Sequence, residues 1–473
     1  MVAIVNARNA FGAEKSMREL LGGSDDLEAA FAPAFYLGCR RRFSRWPWPR
    51  IAAYQTARAR NVVRYAARFA PFYAEHYRGH DLTDPWTLPT VDKAAVMEHL
   101  TGANTLGFTR DELLGFCLQV EATRDFTRRL RGVNVGMSSG TSGNKGVELT
   151  TRREEAYLKA ALFARFPLPP GKLNLAFILR VTTPAFDLNL LGHRMTYLSQ
   201  LLPLDEMVAR LNALMPNAVS APPSLLRLLA GERRAGRLRA TPSTLVSYAE
   251  VLFPDDRADL EDAFGCPVRE IYKATEGAIA VSCRHGRLHL NEDLVAVQLE
   301  DPDGTPTPPG EAAHRMIVTD LHKTSLPILR YELNDLVTLD PEPCPCGSAF
   351  RVVAQIQGRR DDLFWSPSLA GGARWIFPDY LRRAIITASD AVHAYQAVQT
   401  APDAVTVHLS VGAGTDADAV RGLVGDAVRR VFTEHGCPEP GVTVDREAPR
   451  PHATSLKLVR IRRTFDVPRG GSP

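Results

Sequence analysis

Ser138-Ser139-Gly140-Thr141-Ser142-Gly143-Asn144-Lys145-Gly146 is the most informative run of this 473-residue chain. Its small residues remove Cβ obstruction, so backbone N–H groups can converge on a polyanion. The hydroxyls of Ser139, Thr141 and Ser142 add donors, and Lys145 adds charge. A phosphate cradle is the natural reading. It is not a Walker A loop, because Lys145 falls where the second glycine should stand. Two other readings compete. A flexible Ser/Gly linker is one, but β-prone and helical segments flank the run. The other is a serine hydrolase using Ser138, since Gly136-Met137-Ser138-Ser139-Gly140 satisfies G-x-S-x-G. A nucleophile elbow turns directly into a helix, however, and here loop-type residues continue.

Outward from this run the organisation is legible. From about Val133 to Thr338, β-rich runs alternate with helical segments. Examples are Leu175–Leu179, Thr244–Ser247 and Met316–Thr319. Alternation of this kind predicts a layered α/β domain. Upstream, Val62, Val63, Ala66, Ala67 and Phe69 recur at helical spacing until Pro71 interrupts them, so residues 1–130 read as helical. After Asp361 the pattern changes. Val405, Val407, Leu409 and Val411 alternate as a half-buried strand. Val420 to Phe432 then read as a helix, opened by Asp416 or Asp418 and stopped near Gly436. Val442–Val444 and Leu456–Val459 complete a small α+β unit. The expectation is a large α/β, multi-sheet N-terminal domain over 1–358, with the ligand site in 131–358, and a small α+β domain over 359–473.

Composition bounds the partners. The 57 Lys and Arg exceed the 53 Asp and Glu by only four, which implies no nucleic acid. The arginine pairs at 128–129, 382–383 and 429–430 read as solvated helix faces. No run approaches the roughly 18–20 apolar residues of a membrane span, and the N-terminus lacks a secretory h-region. The seven cysteines are an odd number, scattered apart from one Cys-x-Cys. They fit thiols or metal ligands better than disulfides. A cytoplasmic enzyme is the expectation.

Further motifs follow the glycine-rich run in order. They are Tyr272-Lys273-Ala274-Thr275-Glu276-Gly277, Arg330-Tyr331-Glu332-Leu333-Asn334-Asp335, Gly358-Arg359-Arg360-Asp361-Asp362 and the lysine of Leu456-Lys457-Leu458. Together they resemble the adenylate-forming superfamily of acyl- and aryl-CoA ligases. Ser247-Tyr248-Ala249-Glu250, Leu288–Asp293 and Cys344-Pro345-Cys346-Gly347 resemble its phenylacetate–CoA ligase branch. The chain is more similar still to a subgroup of that branch whose name records an activity class and no substrate. Asn144, Lys273 and Leu456 depart from the family pattern, which has proline at the first position and glycine at the other two.

The resemblance implies a reaction. A carboxylate attacks the α-phosphate of ATP, and the acyl group then passes to a thiol, CoA or the phosphopantetheine of a carrier protein. It implies that 138–146, including Gly140, Gly143 and Gly146, holds the β- and γ-phosphates. It also places Tyr272 at the nucleotide and the Thr275 hydroxyl on the α-phosphate. Glu276 is placed at Mg²⁺, Asp335 on the ribose hydroxyls, and Arg359 near ribose or phosphate. Lys457 falls where acid and α-phosphate meet, and Asp361 at the hinge of a rotating lid. Residues near Tyr248, Ala249 and Lys273 are candidates for the pocket of a small-molecule carboxylic acid. Phe177 and Phe186 read as core.

Cys283, His289, Cys344 and Cys346 form a candidate structural Zn²⁺ site of Cys₃His type, with His285 able to replace His289. Some relatives carry such a zinc, and some pair as homodimers. A nucleotide-binding scaffold without activity is the remaining alternative.

Overall fold

The computed structural model describes residues 25–137, 146–182, 192–301, 303–412, 414–451 and 458–467. The expected cradle over 138–145, Phe186 and Lys457 therefore lie outside the described residues. Gly146 is described and buried.

Helices dominate the first hundred described residues. Asp25–Arg45 and Trp48–Phe69 are long, and the second presents Ile51, Gln55, Ala59, Val62, Val63 and Ala66 to the interior at helical spacing. Pro71 ends that helix and opens the next, Pro71–His76, since proline suits a first turn. The Arg110–Thr123 helix starts with a capping box between Thr109 and Glu112.

The strands, in chain order, are β1 (Asn134–Met137), β2 (Val147–Thr150), β3 (Asn174–Leu179), β4 (Arg194–Ser199), β5 (Ala218–Ala221), β6 (Thr244–Tyr248) and β7 (Val268–Ala274). Next come β8 (Gly277–Ser282), β9 (Leu288–Leu290), β10 (Val295–Glu300), β11 (Arg315–Asp320), β12 (Tyr331–Leu333), β13 (Asp335–Leu339) and β14 (Val352–Arg359). Nine of them form one sheet, ordered β13-β14-β9-β8-β7-β6-β5-β3-β4. The β4 to β7 side is parallel, and beyond β7 every pairing is antiparallel. The parallel side packs on helices Leu204–Leu214, Pro223–Arg234 and Pro254–Phe264, and buries Leu226, Leu245 and Leu260 completely. Clefts form at the carboxyl ends of parallel strands where sheet order switches. Here the ends of β6 and β7 supply Ala249, Glu250, Lys273 and Ala274 to such a cleft, and Thr275 and Glu276 follow directly after β7.

A 3₁₀ turn, Arg360–Asp362, leads into the small C-terminal domain. It contains β15 (Phe364–Pro367), β16 (Ala373–Ile376), β17 (Val392–Ala401), β18 (Ala404–Val411), β19 (Gly441–Asp445) and β20 (Ile461–Arg463). Four of these make a sheet ordered β19-β18-β17-β20, with a separate core including Phe364, Leu381, Val424 and Phe432. Asp416 caps the Ala417–Glu434 helix, accepting from the backbone of Asp418 and Ala419. One expectation needs correction. Leu458 and Val459 are not strand, and pairing begins only at Ile461, because Val459 gives its carbonyl to the Gln396 side chain.

Among the described residues, no helix is long and apolar enough to cross a membrane.

Candidate active site

A cleft of about 730 Å³ lies between the large sheet and the small domain. Tyr272, Asp335, Arg359 and Asp362 line it, together with Glu250 and Leu458.

Local structure explains why the motif residues meet. Ala274 and Gly277 are register partners, so Thr275 and Glu276 are the tip of the tight β7–β8 turn. Asp335 opens β13 directly opposite Arg359, the last residue of β14. Their side chains approach to 3.5 Å, Arg359 Nε to Asp335 Oδ1. Gly358, at φ +124°, stands beside a bulge in this pairing and allows a backbone turn that a side chain would resist.

Two phenols hold the two carboxylates. Tyr272 Oη donates to Asp335 Oδ2 at 2.6 Å, and Tyr331 Oη donates to Glu276 Oε1 at 2.9 Å. Burial, reinforced by the facing carboxylate, pushes both phenols well above their ordinary pKa. Both therefore remain donors. Each carboxylate keeps a second oxygen for another partner.

Lys273 has its own explanation. Its Nζ donates to Glu148 Oε2 at 2.8 Å, and Lys323 Nζ stands 3.8 Å from Glu148 Oε1. Glu148 lies on β2, the strand that follows the glycine-rich run. The lysine thus ties β7 to the base of that run, a task glycine cannot perform. Ala249 is half-exposed at the cleft with φ +71°, a strained value for a residue with a Cβ. Phe177 is buried, its ring 6.0 Å from that of Tyr248, consistent with a packing role. Asp361 lies in the 3₁₀ turn, and its side chain falls outside the described residues.

Sequence reasoning missed three contributors. Glu148 is one. Lys93 is another: burial lowers its pKa, and it feels Glu276 and Arg359 electrostatically. Tyr331 was named only as part of a motif. Strand patterns could not reveal the first two, because their partners are far away in sequence.

The candidate metal ligands converge. Cys283 Sγ and Cys344 Sγ are 3.7 Å apart, Cys346 Sγ and His289 Nε2 are 3.4 Å apart, and all four ligand atoms lie within 4.8 Å of one another. Tetrahedral zinc with Zn–S bonds of about 2.3 Å has S···S edges of about 3.8 Å. The geometry fits. His289 Nδ1 faces the Phe350 carbonyl at 2.8 Å, the outer bond that directs Nε2 to a metal. His285 is exposed and outside the cluster. The ligands come from the β8–β9 hairpin and the loop between β13 and β14, so a metal would pin the two together.

No family model matches the chain. It is 28% identical over 192 residues to the phenylacetate–coenzyme A ligase of Thermus thermophilus, covering 39% of this chain and 42% of that protein. It is 31% identical over 131 residues to Protein CapK of Staphylococcus aureus, covering 27% and 28%. The matches thus span less than half of either relative. The crystal structure of 2-hydroxyisobutyryl-CoA ligase in the postadenylation state, with 2-HIB-AMP, aligns at a TM-score of 0.68 and 19% identity over 90% of this chain and 91% of that one. The same ligase with 2-HIB-AMP and CoA in the thioesterification state aligns at 0.55 and 19% identity, over 89% and 91%. The fold is that of adenylate-forming enzymes, with a large N-terminal and a small C-terminal domain.

Proposed function

We propose that this protein activates a carboxylic acid, aryl or small acyl, by joining it to the α-phosphate of ATP with release of pyrophosphate, and then transfers the acyl group to the thiol of CoA. One observation carries this reading. Residues from three separated motifs converge: Tyr272, Asp335 and Arg359 line one cleft, and Glu276 is close enough to act electrostatically on Tyr272 and Arg359.

ATP supplies the electrophilic phosphorus and the pyrophosphate leaving group. The rest is positioning and charge control. Asp335, oriented by Tyr272, accepts hydrogen bonds from the ribose hydroxyls, with Arg359 beside it. Glu276, oriented by Tyr331, holds Mg²⁺, and Thr275 donates to the α-phosphate. The 138–146 run grips the outer phosphates. Lys457 neutralises charge where the carboxylate attacks. The small domain, 359–473, then turns about Asp361 to admit the thiol. The carboxyl carbon–sulfur bond forms as its bond to AMP breaks. A structural zinc on Cys283, His289, Cys344 and Cys346 belongs to the same reading.

A screen of pyrophosphate release over aryl and short aliphatic acids, with and without CoA, tests it. Acid-dependent release with a CoA-dependent product supports the proposal. Release without a CoA product points to a carrier-protein thiol. Ester hydrolysis without ATP use would instead identify a hydrolase, and nucleotide binding without turnover a scaffold.

A further inference from the structure

Between Arg40 and Arg68 the chain has nine arginines and no acidic residue. The whole chain has a net charge of only +4, so everything outside this stretch sums to −5. The stretch folds as the end of the Asp25–Arg45 helix, a corner at Trp46 and Pro47, and the Trp48–Phe69 helix. Two of the nine face inward: Arg42 donates to Asp293 at 2.7 Å, and Arg58 to the Leu321 carbonyl at 3.1 Å. The other seven are exposed, Arg40, Arg41 and Arg45 on the first helix and Arg50, Arg60, Arg64 and Arg68 on the second. At 3.6 residues per turn the last four fall within about 80° of one another around the helix. They make one stripe, opposite the buried Ile51, Gln55, Ala59, Val62 and Ala66. Arg50 lies 4.3 Å over the Trp46 ring, so the corner joins the arginines of the two helices.

Arginines on other surface helices of this chain are compensated. Arg210 pairs with Glu206 at 2.6 Å, Arg234 with Asp259 at 2.8 Å, and Arg429 with Asp426 at 2.7 Å. Among the described residues, no ion pair reaches Arg41, Arg45, Arg50, Arg64 or Arg68. Asp81 acts electrostatically on Arg60. Glu28, the acid nearest to Arg40 along the first helix, is about 18 Å up its axis. Arg41–Arg45, Arg60–Arg64 and Arg64–Arg68 are like charges at i,i+4, which costs helix stability. An ordinary solvated face has no need of that arrangement. A face held for an anionic partner does.

Apolar side chains accompany the charge. Leu37, Trp48 and Phe69 are 64%, 38% and 46% exposed, and the last two stand at opposite ends of the second helix. Arginines interleaved with exposed leucine, tryptophan and phenylalanine suit the headgroup layer of a bilayer, where phosphates meet acyl chains. Binders of single-stranded nucleic acid instead track the strand along a groove. The outward backs of two helices form a convex ridge.

We propose that this arginine face docks the protein on a bilayer surface rich in anionic phospholipid. The contact is peripheral. Charge draws the two helices to the lipid phosphates, and Leu37, Trp48 and Phe69 enter the headgroup layer. The proposal stands apart from the activity proposed above.

Sedimentation of the full chain with vesicles tests it. Vesicles of about one-third phosphatidylglycerol in phosphatidylcholine should bind the protein, and phosphatidylcholine alone should not. Raising salt from about 0.1 M to about 0.5 M should release it, because screening shortens the reach of surface charge. Arg64→Ala with Arg68→Ala should weaken binding about tenfold or more, the loss expected for two basic residues at such a surface. Both positions are exposed, so the thermal midpoint should not move. Arg40→Ala with Arg41→Ala is a second variant and should act alike. Arg234→Ala with Arg237→Ala removes the same charge from compensated positions and should leave binding within about twofold. Equal weakening by that control pair, binding indifferent to lipid charge, or no binding to the anionic vesicles overturns the proposal. Stronger retention by single-stranded DNA than by vesicles at equal phosphate concentration also overturns it, and assigns the face to nucleic acid.

Discussion

Tyr272 Oη lies 2.6 Å from Asp335 Oδ2, across 63 residues of sequence. The phenol is the group that fixes the carboxylate's orientation, and Arg359 sits against its other oxygen. Hydrogen bonds to charged groups contribute about 1.5–3 kcal/mol. Tyr272→Phe should therefore raise the KM for ATP about tenfold with a smaller change in kcat. Asp335→Ala should be worse on both. Steady-state kinetics at varied ATP checks this, and an unchanged KM in both variants would remove Asp335 from the nucleotide site.

The Lys273–Glu148 pair makes a stability prediction. The two side chains are 9% and 22% exposed. Among the described residues, Lys273→Met leaves Glu148 with the more distant Lys323 as its cation and should cost about 2–4 kcal/mol. Adding Glu148→Leu should recover most of the loss, because the stranded charge goes with it. Urea unfolding of the single and double variants measures both.

Asp320 gives a pH dependence. Burial raises its carboxyl to about 6, although the backbone N–H groups of His322 and Lys323 donate to it. The unfolded value is about 3.9. Between these values the native state keeps a proton that the unfolded chain releases, so stability falls as pH rises through the window. Asp320→Asn retains an oxygen for both backbone bonds and loses the penalty. The variant should be more stable than the wild type by about 1–3 kcal/mol at pH 7.5, and near parity at pH 4. Unfolding at the two pH values decides it; a difference that does not change with pH assigns Asp320 no titration in this range.

For the four-ligand cluster, protein prepared without added metal should carry zinc at about one per chain. Cys344→Ser should lose it and lower the thermal midpoint, with Asp335-dependent ATP binding retained. Metal-free protein of unchanged midpoint would contradict the assignment.

What sequence could show here depended on range. The Cys-x-Cys at 344–346 was visible because spacing and residue type alone specify it, whereas Thr275-Glu276 was visible as part of an ordered motif and the turn it occupies between β7 and β8 was not. Asp335 and Arg359 were visible as members of ordered motifs, although only strand register explains their meeting. The long-range partners were not visible. Glu148 and Lys273 are 125 residues apart, and Arg460 and Asp256 are 204 apart. No periodicity links such positions. Lys273 read as a departure from a glycine pattern, and its meaning appears only beside β2. The strand expected at Leu456–Val459 failed in its described part for a related reason. Alternating apolar residues suggest pairing, but a buried glutamine from β17 takes the carbonyl instead.

Lys457→Ala tests the chemical step. It should reduce acid-dependent ATP–pyrophosphate exchange by about a hundredfold or more, the range for loss of a preorganised charge at a developing anion. Exchange that survives intact assigns the charge to another residue.

The most direct test of the account is to incubate the protein with ATP labelled at the α-phosphorus and a panel of carboxylic acids, then quench and separate the products. The account predicts a labelled acyl-adenylate that appears with at least one acid, disappears on addition of CoA, and is absent with Asp335→Ala. Label recovered only as ATP, or as ADP independent of any acid, would contradict it.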